Sequence, residues 1–274
     1  MGKKVFLIDV AKCSGCQCCQ VACKDEHCGN DWMPIARTQP DTGQFWIKVN
    51  ENVCGTRPKV RIHYIPTLCN HCDDPACVKA AENGAVYKRS DGLVIIDPEK
   101  AVGQKQIMEA CPYGAIYWNE KLNIPQKCTG CAHLLDSGYE KPRCVENCPH
   151  DAIVFGDEEE LKDHILGASM LKPELGLHPN VYYRNIPGQF IAGTVYDPVE
   201  KEVIIGARVR AVTGGKVYKT TTNQYGDFWF EDLAIGFFDV YIEQKGYKEK
   251  SFIGLHTVDC INLGDIPLEL LEST

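Results

Sequence analysis

The sequence predicts an α+β domain followed by an all-β sandwich, and two observations carry the prediction. Fifteen of the 16 cysteines lie between Cys13 and Cys148, many of them in C-x₂-C spacing. From Phe190 onward, short runs of β-branched and aromatic residues alternate with glycines, which is typical of a strand-rich module. A proline-punctuated connector separates the two regions. We therefore predict domains at residues 1–187 and 188–274.

Composition narrows the class of protein. The net charge of −8 leaves no basic face to collect phosphates, which argues against nucleic-acid binding. No apolar run is long enough to cross a bilayer, so direct membrane insertion is not expected. The N-terminus leads straight into a predicted strand at Val5–Val10 without a signal peptide, so the expected location is cytoplasmic, with export alongside a partner subunit as the open alternative. Tight cysteine spacing in such a setting favours metal over disulfides.

The stretch Cys13-Ser-Gly-Cys16-Gln-Cys-Cys19-Gln-Val-Ala-Cys23 reads C-x₂-C-x₂-C-x₃-C. Such a run holds three irons of one [4Fe–4S] cubane and lends its fourth thiolate to a second cubane. The first three thiolates can wrap one face of a cluster because a tight, irregular loop points them the same way. Cys23 follows within a predicted helix and points elsewhere. The run therefore needs further cysteines from distant parts of the chain.

The middle of the chain alternates strand and helix signals. Strands are predicted at Phe45–Val49 and Lys59–Ile65, which are rich in aromatic and β-branched residues. A hairpin is predicted over Ala85–Ile96, with an Asp-Gly turn. A helix is predicted to follow, with Asp97 as its N-cap and Pro98 as its first residue, and to end at the next cysteine.

An internal repeat links the cysteine groups. Cys111-Pro-Tyr-Gly-Ala-Ile116 and Cys148-Pro-His-Asp-Ala-Ile153 share the pattern C-P-x-x-A-I, a ligand-type cysteine, a proline that ends a helix, and a strand. Ala81-Glu-Asn-Gly-Ala-Val86 aligns without gaps but lacks the cysteine and the proline. Ferredoxin-like domains are pseudo-symmetric in this way, so ligands are expected to cross between halves.

The rest of the chain reads as one more helix and then strands. A helix is predicted over Asp157–Leu166, which is acidic in its first turn. Beyond the connector, short strands at regular spacing predict an antiparallel, immunoglobulin-like sandwich. The strands are predicted at Gly193–Tyr196, Ala207–Val212, Val217–Thr222, Asp227–Phe230, Phe238–Ile242 and Ser251–Ile253.

Residues 5 to about 187 resemble the four-cluster iron–sulfur subunits of the molybdopterin oxidoreductases, the dimethyl sulfoxide reductase family. In that family the first and last cysteine groups pair, and the two middle groups pair. The resemblance implies three complete [4Fe–4S] ligand sets in this chain. Cluster 1 would take Cys13, Cys16, Cys19 and Cys148; cluster 2 would take Cys23, Cys128, Cys131 and Cys144; cluster 3 would take Cys69, Cys72, Cys77 and Cys111.

The fourth cluster of the family has no ligands here. Its expected positions hold Ala81, Ala101, Gln104 and Ile107. All four ligands of one cluster are missing and none of any other, which indicates removal of one cluster and refilling of its space. We expect the four residues to lie together, with Ile107 packed inward and Gln104 hydrogen-bonded or solvated. Three clusters and a carboxypeptidase-regulatory-like, immunoglobulin-like module resemble the small subunits of molybdenum enzymes that act on phenolic rings.

Several residues carry alternative interpretations. Zinc could occupy C-x₂-C pairs, but it needs neither the C-x₂-C-x₂-C-x₃-C run nor a following proline. His71 either donates a hydrogen bond to a cluster sulfur or is merely exposed, the second being preferred. Lys12 and Lys127 precede cluster loops and either compensate thiolate charge or are solvated. The remaining cysteines are expected to be buried thiols, although a ligand swap between neighbours in the first loop stays open. They are Cys18, Cys28, Cys54 and Cys260.

No general acid, nucleophile or substrate pocket can be identified, so no catalytic residue is expected on this chain. The resemblance implies an electron-transfer (iron–sulfur) subunit of a soluble molybdopterin enzyme, acting on polyhydroxybenzenes by hydroxyl transfer or by ring hydroxylation or dehydroxylation. The molybdopterin, with Mo or W, would lie only in a large catalytic partner subunit, in a heterodimer or an assembly of heterodimers, with cluster 1 nearest to it. The alternatives are a subunit of a respiratory molybdenum reductase or dehydrogenase linked to a membrane quinone partner, and a free-standing polyferredoxin.

Overall fold

The computed structural model describes residues 2–271, which divide into two compact units. The first unit comprises residues 2–51 and 63–186, and the second comprises residues 52–62 and 187–271. The sequence-based boundaries of 1–187 and 188–274 did not anticipate that residues 52–62 would group with the C-terminal part. These residues are the tip of a hairpin whose base lies in the first unit.

Short helices and strands make up the part of the chain up to Ile186. The strands are β1 (Lys4–Asp9), β2 (Ile47–Thr56), β3 (Lys59–Leu68), β4 (Val86–Lys88), β5 (Val94–Ile96), β6 (Ile116–Asn119), β7 (Ile124–Lys127), β8 (Ile153–Asp157) and β9 (Val181–Arg184). The helices are α1 (Cys18–His27), α2 (Ala76–Ala80), α3 (Gln106–Glu109), α4 (Ala132–Asp136), α5 (Arg143–Glu146) and α6 (Lys162–Ile165). The longest helix in the described part of the chain, α1, has 10 residues, so none is long and apolar enough to span a bilayer.

Strand β1 is the centre of the first unit. It pairs antiparallel with β8 and parallel with β9, and its run Val5–Ile8 is buried on both faces, as expected for a central strand. Phe6 and Ile8 belong to a core that also contains Tyr183 and Trp46. Five cysteines are buried in the same core, namely Cys19, Cys23, Cys69, Cys128 and Cys144. The core of this unit is therefore built around ligand-type thiols.

The internal repeat corresponds to a structural repeat. In each copy the sixth residue begins a strand, and these residues are Val86 in β4, Ile116 in β6 and Ile153 in β8. Each copy is also preceded by a short helix, α2, α3 or α5. The predicted hairpin is confirmed as β4–β5, with Gly92 at a φ of 85° in its turn, a conformation that glycine adopts without steric cost.

Two predicted helices are much shorter than expected. Asp97 Oδ1 accepts hydrogen bonds from the N–H groups of Glu99 (3.0 Å) and Lys100 (3.2 Å), as a capping residue does. The segment then forms turns, and α3 begins only at Gln106, because Gly103 has a φ of 78° and directs its N–H to a distant carbonyl. The helix predicted over Asp157–Leu166 is present only as α6, and Asp157 instead ends β8.

The second unit contains two four-stranded sheets. Its strands are β10 (Gln189–Asp197), β11 (Glu202–Val203), β12 (Arg208–Thr213), β13 (Lys216–Thr221), β14 (Asp227–Leu233), β15 (Phe237–Glu243), β16 (Lys250–His256) and β17 (Ile261–Pro267). One sheet has the order β11-β10-β14 with β17 paired to β10, and the other has the order β13-β12-β15-β16. Ile191 and Phe228 of the first sheet share a core with Val240 and Ile242 of the second. The sandwich is antiparallel apart from the β10–β17 pair, which is parallel.

The hairpin tip is fastened to the sandwich strands within this second unit. Asn262 Nδ2 donates to the carbonyl of Thr56 at 3.0 Å, and Lys59 forms an ion pair with Asp227. Cys54 is disulfide-bonded to Cys260 across 206 residues of sequence. The expectation that these two cysteines are buried free thiols is therefore wrong.

Candidate metal centres

The four cysteines assigned to cluster 1 line one cavity, together with Val49, Pro66 and Pro149. Cys13 and Cys16 lie in an irregular loop, and α1 carries Cys19 in its first turn. The loop depends on Gly15, whose φ is 73° and where a Cβ atom would lie 2.7 Å from the ring of Tyr64. Cys148, 135 residues after Cys13, accepts a hydrogen bond from the N–H of Ala152 at 3.2 Å.

The four cysteines assigned to cluster 3 line a second cavity, together with Pro75, Val94 and Ile116. Cys69 and Cys72 flank a tight turn in which His71 has a φ of 44°. Its backbone N–H donates to the Sγ of Cys69 at 3.5 Å. Helix α2 supplies Cys77.

The four cysteines assigned to cluster 2 are all buried. Helix α1 carries Cys23 and helix α5 carries Cys144. Cys128 directly follows β7, and the N–H of Gly130 donates to its Sγ at 3.4 Å. Burial raises the pKa of Cys144 well above its usual range, and the charges of Cys131, Cys128, Cys23 and, in the cluster 1 set, Cys19 raise it further.

The protonation chemistry of these thiols tests whether they fit an iron–sulfur core. Burial raises the pKa of Cys19 and of Cys72 to about 12, and neighbouring thiolates act in the same direction. Cys19 and Cys72 would therefore be neutral thiols at neutral pH if no metal cation were present. Cationic iron reverses this preference, since thiolates rather than thiols bind metal. Desolvated thiols such as Cys19 and Cys72, in sets that each line one cavity, thus fit a multi-iron group.

The spacing of the thiols also bears on zinc. Among residues 2–271, no three histidine, cysteine or acidic side chains converge closely enough to hold a single metal ion. Zn–S bonds of about 2.3 Å would bring tetrahedral sulfur ligands to about 4 Å from one another. The C-x₂-C-x₂-C-x₃-C run of the first loop therefore remains the observation that favours an iron–sulfur group over a single zinc ion.

Histidine side chains approach two of the sets. The Nε2 of His27 lies 4.0 Å from the Sγ of Cys131. His71 is only 1% exposed, so the preferred expectation of an exposed side chain is wrong. Its Nδ1 accepts a hydrogen bond from the N–H of Val94 at 3.0 Å, which leaves Nε2 buried without a protein partner. A buried N–H next to Cys69 and Cys72 is suited to face a sulfur-rich group.

The two lysines that precede cluster loops differ sharply. Lys12 is exposed. Lys127 is 2% exposed, and its Nζ donates to the carbonyls of Cys128 (3.0 Å) and Val94. Solvation, one of the two alternatives for these residues, therefore applies to Lys12 and not to Lys127.

The positions of the absent fourth cluster lie together, as expected. Ala101 and Ile107 are buried in one hydrophobic cluster, and Ala81 packs against it. Gln104 Oε1 accepts from the N–H of Glu82 at 2.8 Å, and its Nε2 donates to the carbonyl of Lys100 at 2.8 Å. The prediction that these four residues lie together, with Ile107 inward and Gln104 hydrogen-bonded, is confirmed.

Two of the four remaining cysteines are neither buried nor disulfide-bonded. Cys18 is exposed, so the expectation that it is buried is wrong. Cys28 is only half-buried, and its Sγ lies 3.3 Å from Asp41 Oδ1. Neither lines the cavities that hold the cluster 1 or cluster 3 thiols.

A buried polar network beside the cluster 2 thiols escaped the sequence analysis. Glu26 Oε1 lies 3.0 Å from His133 Nε2, and Glu26 Oε2 accepts from Arg143 Nε at 2.7 Å. The helical period could have revealed part of it. Cys19, Cys23, Glu26 and His27 recur on one face of α1 and are all buried.

Two family models and several known proteins match the chain. A 4Fe-4S dicluster domain matches residues 60–158 and a carboxypeptidase regulatory-like domain matches residues 191–259, which confirms the predicted order of an iron–sulfur domain and an immunoglobulin-like module. The chain is 40% identical to the pyrogallol hydroxytransferase small subunit of Pelobacter acidigallici, across 98% of this chain and 100% of that protein.

Other matches are partial. One subunit of the anaerobic dimethyl sulfoxide reductase of Escherichia coli K12 is 36% identical, across 65% of this chain and 90% of that subunit. The arsenate respiratory reductase iron-sulfur subunit of Shewanella sp. ANA-3 is 32% identical, across 65% of this chain and 94% of that subunit. The solved structure of the major pilin subunit BcpA of Bacillus cereus matches 34% of this chain and 32% of its own, at a TM-score of 0.26 and 13% identity.

Proposed function

Since this chain is a member of the family of iron–sulfur subunits of the molybdopterin oxidoreductases, we propose that it serves an enzyme that transfers hydroxyl groups between polyhydroxybenzenes. Within that family its role is electron transfer. The observation that carries the narrower proposal is the match to the pyrogallol hydroxytransferase small subunit over nearly the whole of both chains. The match to the dimethyl sulfoxide reductase subunit covers only 65% of this chain.

The first unit would be a ferredoxin-like domain with three [4Fe–4S] clusters, held by the twelve cysteines of the cluster 1, cluster 2 and cluster 3 sets. Such clusters supply one-electron redox chemistry at potentials set by charge, hydrogen bonds and burial. The chain contributes thiolates from distant segments, so that folding and cluster assembly depend on each other. It also contributes the buried Nε2–H of His71 and the ring nitrogen of His27 that lies 4.0 Å from Cys131 Sγ.

The side chains at the fourth site support an electron-transfer path that ends inside the complex. Ile107 is fully buried and the Gln104 amide is hydrogen-bonded at both ends, which supports packed side chains in place of the cluster that the family would have here, its most distant one. An electron path shortened in this way suits a transhydroxylation, which has no net redox change. A molybdopterin that carries Mo or W and is bound to a large partner subunit would be the catalytic centre of the heterodimer.

The test is purification of the native complex followed by cofactor and activity analysis. We expect about twelve iron and twelve sulfide per small subunit, from three clusters of four, molybdenum or tungsten in the large subunit, and hydroxyl transfer between pyrogallol-type substrates. About sixteen iron, or stoichiometric zinc, would contradict the cofactor assignment. Rapid reduction of a quinone analogue without hydroxyl transfer would favour the respiratory alternative instead.

A further inference from the structure

We infer that the ammonium group of Lys127 is an internal counter-charge for clusters 2 and 3 and raises their reduction potentials. This inference rests on the proposed three-cluster function. In the sequence, Lys127 is notable only as the residue before Cys128. The inference depends on the position of its side chain in the fold.

The Lys127 ammonium group lies between the two thiol sets. Its Nζ donates to the carbonyl of Cys128, a residue of the cluster 2 set, at 3.0 Å. The same Nζ donates to the carbonyl of Val94, which lines the cavity of the cluster 3 thiols. Hydrogen bonds therefore hold this one side chain against the walls of both sites.

No carboxylate neutralises this cation. Lys127 is 2% exposed, and none of the ion pairs found among residues 2–271 includes it. A buried charge without a counter-charge is strongly unfavourable. The nearby groups able to provide negative charge are the thiols of Cys77, Cys111 and Cys128. Burial raises the pKa of all three, and the charge of Lys127 acts in the opposite direction, favouring their thiolate forms.

The electrostatic consequence follows from the sign of the charge. An added electron makes a four-thiolate cluster more negative, so a fixed positive charge in a low-dielectric surrounding favours the reduced state. Water screens an exposed lysine such as Lys12 far more effectively. The structure thus contains its own control, because Lys12 precedes Cys13 in the sequence as Lys127 precedes Cys128.

A purely structural role makes a different prediction. If Lys127 only ties β7 to β5 through the Val94 carbonyl, its replacement would reduce stability and leave the potentials of assembled clusters unchanged. The deciding quantity is therefore the midpoint potential, measured in preparations whose iron content equals that of the wild type.

The experiment is an anaerobic redox titration of the native complex, followed by electron paramagnetic resonance. We expect Lys127→Met to lower the equilibrium constant for reduction of cluster 2, cluster 3 or both at least tenfold, about 59 mV for a one-electron couple. Cluster 1 should be unaffected in the same sample. Lys127→Arg, which keeps the charge, and Lys12→Met should each change these constants less than threefold.

Unchanged midpoints in iron-replete Lys127→Met would overturn the inference. If that variant loses iron, Lys127→Gln is measured in its place. If both neutral variants lose iron, the result for Lys127→Arg decides, and a tenfold shift despite the retained charge would refute the role. Failure of the proposed function is recognised separately, because the wild-type complex would then lack three clusters.

Discussion

The imidazole Nε2 of His27 lies 4.0 Å from the Sγ of Cys131, although 104 residues separate them in the sequence. The ring packs on Trp46 and against the edge of His133. Burial lowers the pKa of His27 to about 3, so the ring is neutral at physiological pH. A neutral imidazole can donate one N–H, and a buried donor beside a ligand sulfur favours the reduced state of a cluster.

We therefore expect His27→Leu to lower the midpoint potential of cluster 2. We expect the free energy of reduction of cluster 2 to become less favourable by about 1 kcal/mol, the size of a typical net hydrogen-bond contribution. Redox titration of the assembled complex measures this, with Val21→Leu on the exposed side of α1 as the control. A cluster 2 midpoint that does not move would show that the contact is only packing.

Cys148→Ala should remove cluster 1 and leave the other two. Cys148 lines the same cavity as Cys13, Cys16 and Cys19, so its loss leaves a three-thiol site. We expect iron to fall from about twelve to about eight per chain, together with a lower unfolding temperature. Cys18→Ala, which removes an exposed thiol, should keep all the iron. Loss of the cluster 2 signals in place of those of cluster 1 would contradict the assigned ligand sets.

Ile107→Ala should destabilise the first unit by about 2–5 kcal/mol, the range for large-to-alanine changes in a core. Ile107 is 0% exposed and occupies the refilled fourth site. Urea unfolding measures the difference, and Val102→Ala, at a side chain that is 55% exposed, is the matched control. Equal effects of the two substitutions would be incompatible with a tightly packed fourth site.

Glu26→Gln should weaken the network beside the cluster 2 thiols. Burial alone would raise the pKa of Glu26, but hydrogen bonds from Arg143 and His133 outweigh it and lower the pKa below its usual range. A carboxylate with a lowered folded-state pKa adds stability above its unfolded-state pKa and loses it as the pH falls through the folded-state value.

At pH 7 we expect the free energy of unfolding of the Glu26→Gln variant to be about 1–3 kcal/mol lower than that of the wild type. The difference should persist to about pH 5 and shrink at lower pH, since the stabilisation depends on an ionised carboxylate. Denaturant titrations across this range supply the measurement. A difference that grows on acidification would show that another group is responsible.

Cys54→Ser or Cys260→Ser should destabilise the second unit while leaving iron content unchanged. The bond between these residues lies within that unit, and loss of a native disulfide costs typically about 2–4 kcal/mol. Calorimetry and iron assay together test this, with Cys28→Ser, at an unbonded half-buried thiol, as the control. A wild-type transition that does not respond to a reductant would argue against the bond in solution.

Much of the candidate site could be predicted because metal ligation and helix ends leave local patterns. The spacing of Cys13, Cys16 and Cys19 predicts one shared cavity, and the C-P-x-x-A-I repeat predicts where β6 and β8 begin. In both cases a covalent or steric constraint acts over a few residues or repeats along the chain. The fourth site, with Ala81 and Ile107, was predictable only through the resemblance to the four-cluster family.

Long-range contacts could not be predicted in this way. Nothing near Cys54 indicates a bond to Cys260, which lies 206 residues away. His71 is buried because a positive φ turns it toward the N–H of Val94, a conformation that its neighbours in the sequence do not reveal. The helix expected after Asp97 failed for a reason visible in the sequence, since Gly103 interrupts it, but glycine alone does not specify a positive φ.

The hairpin tip has a consequence for the order in which this protein is made. Residues 52–62 belong with a sandwich whose other residues begin at 187, so the 124 residues from 63 to 186 are synthesised between the two. At about 5–20 residues per second, a ribosome takes roughly 6–25 s to cover that distance. A nascent chain shorter than 260 residues cannot contain the native bond of Cys54, so its oxidation is a late event in biosynthesis, following synthesis of every cysteine assigned to a cluster.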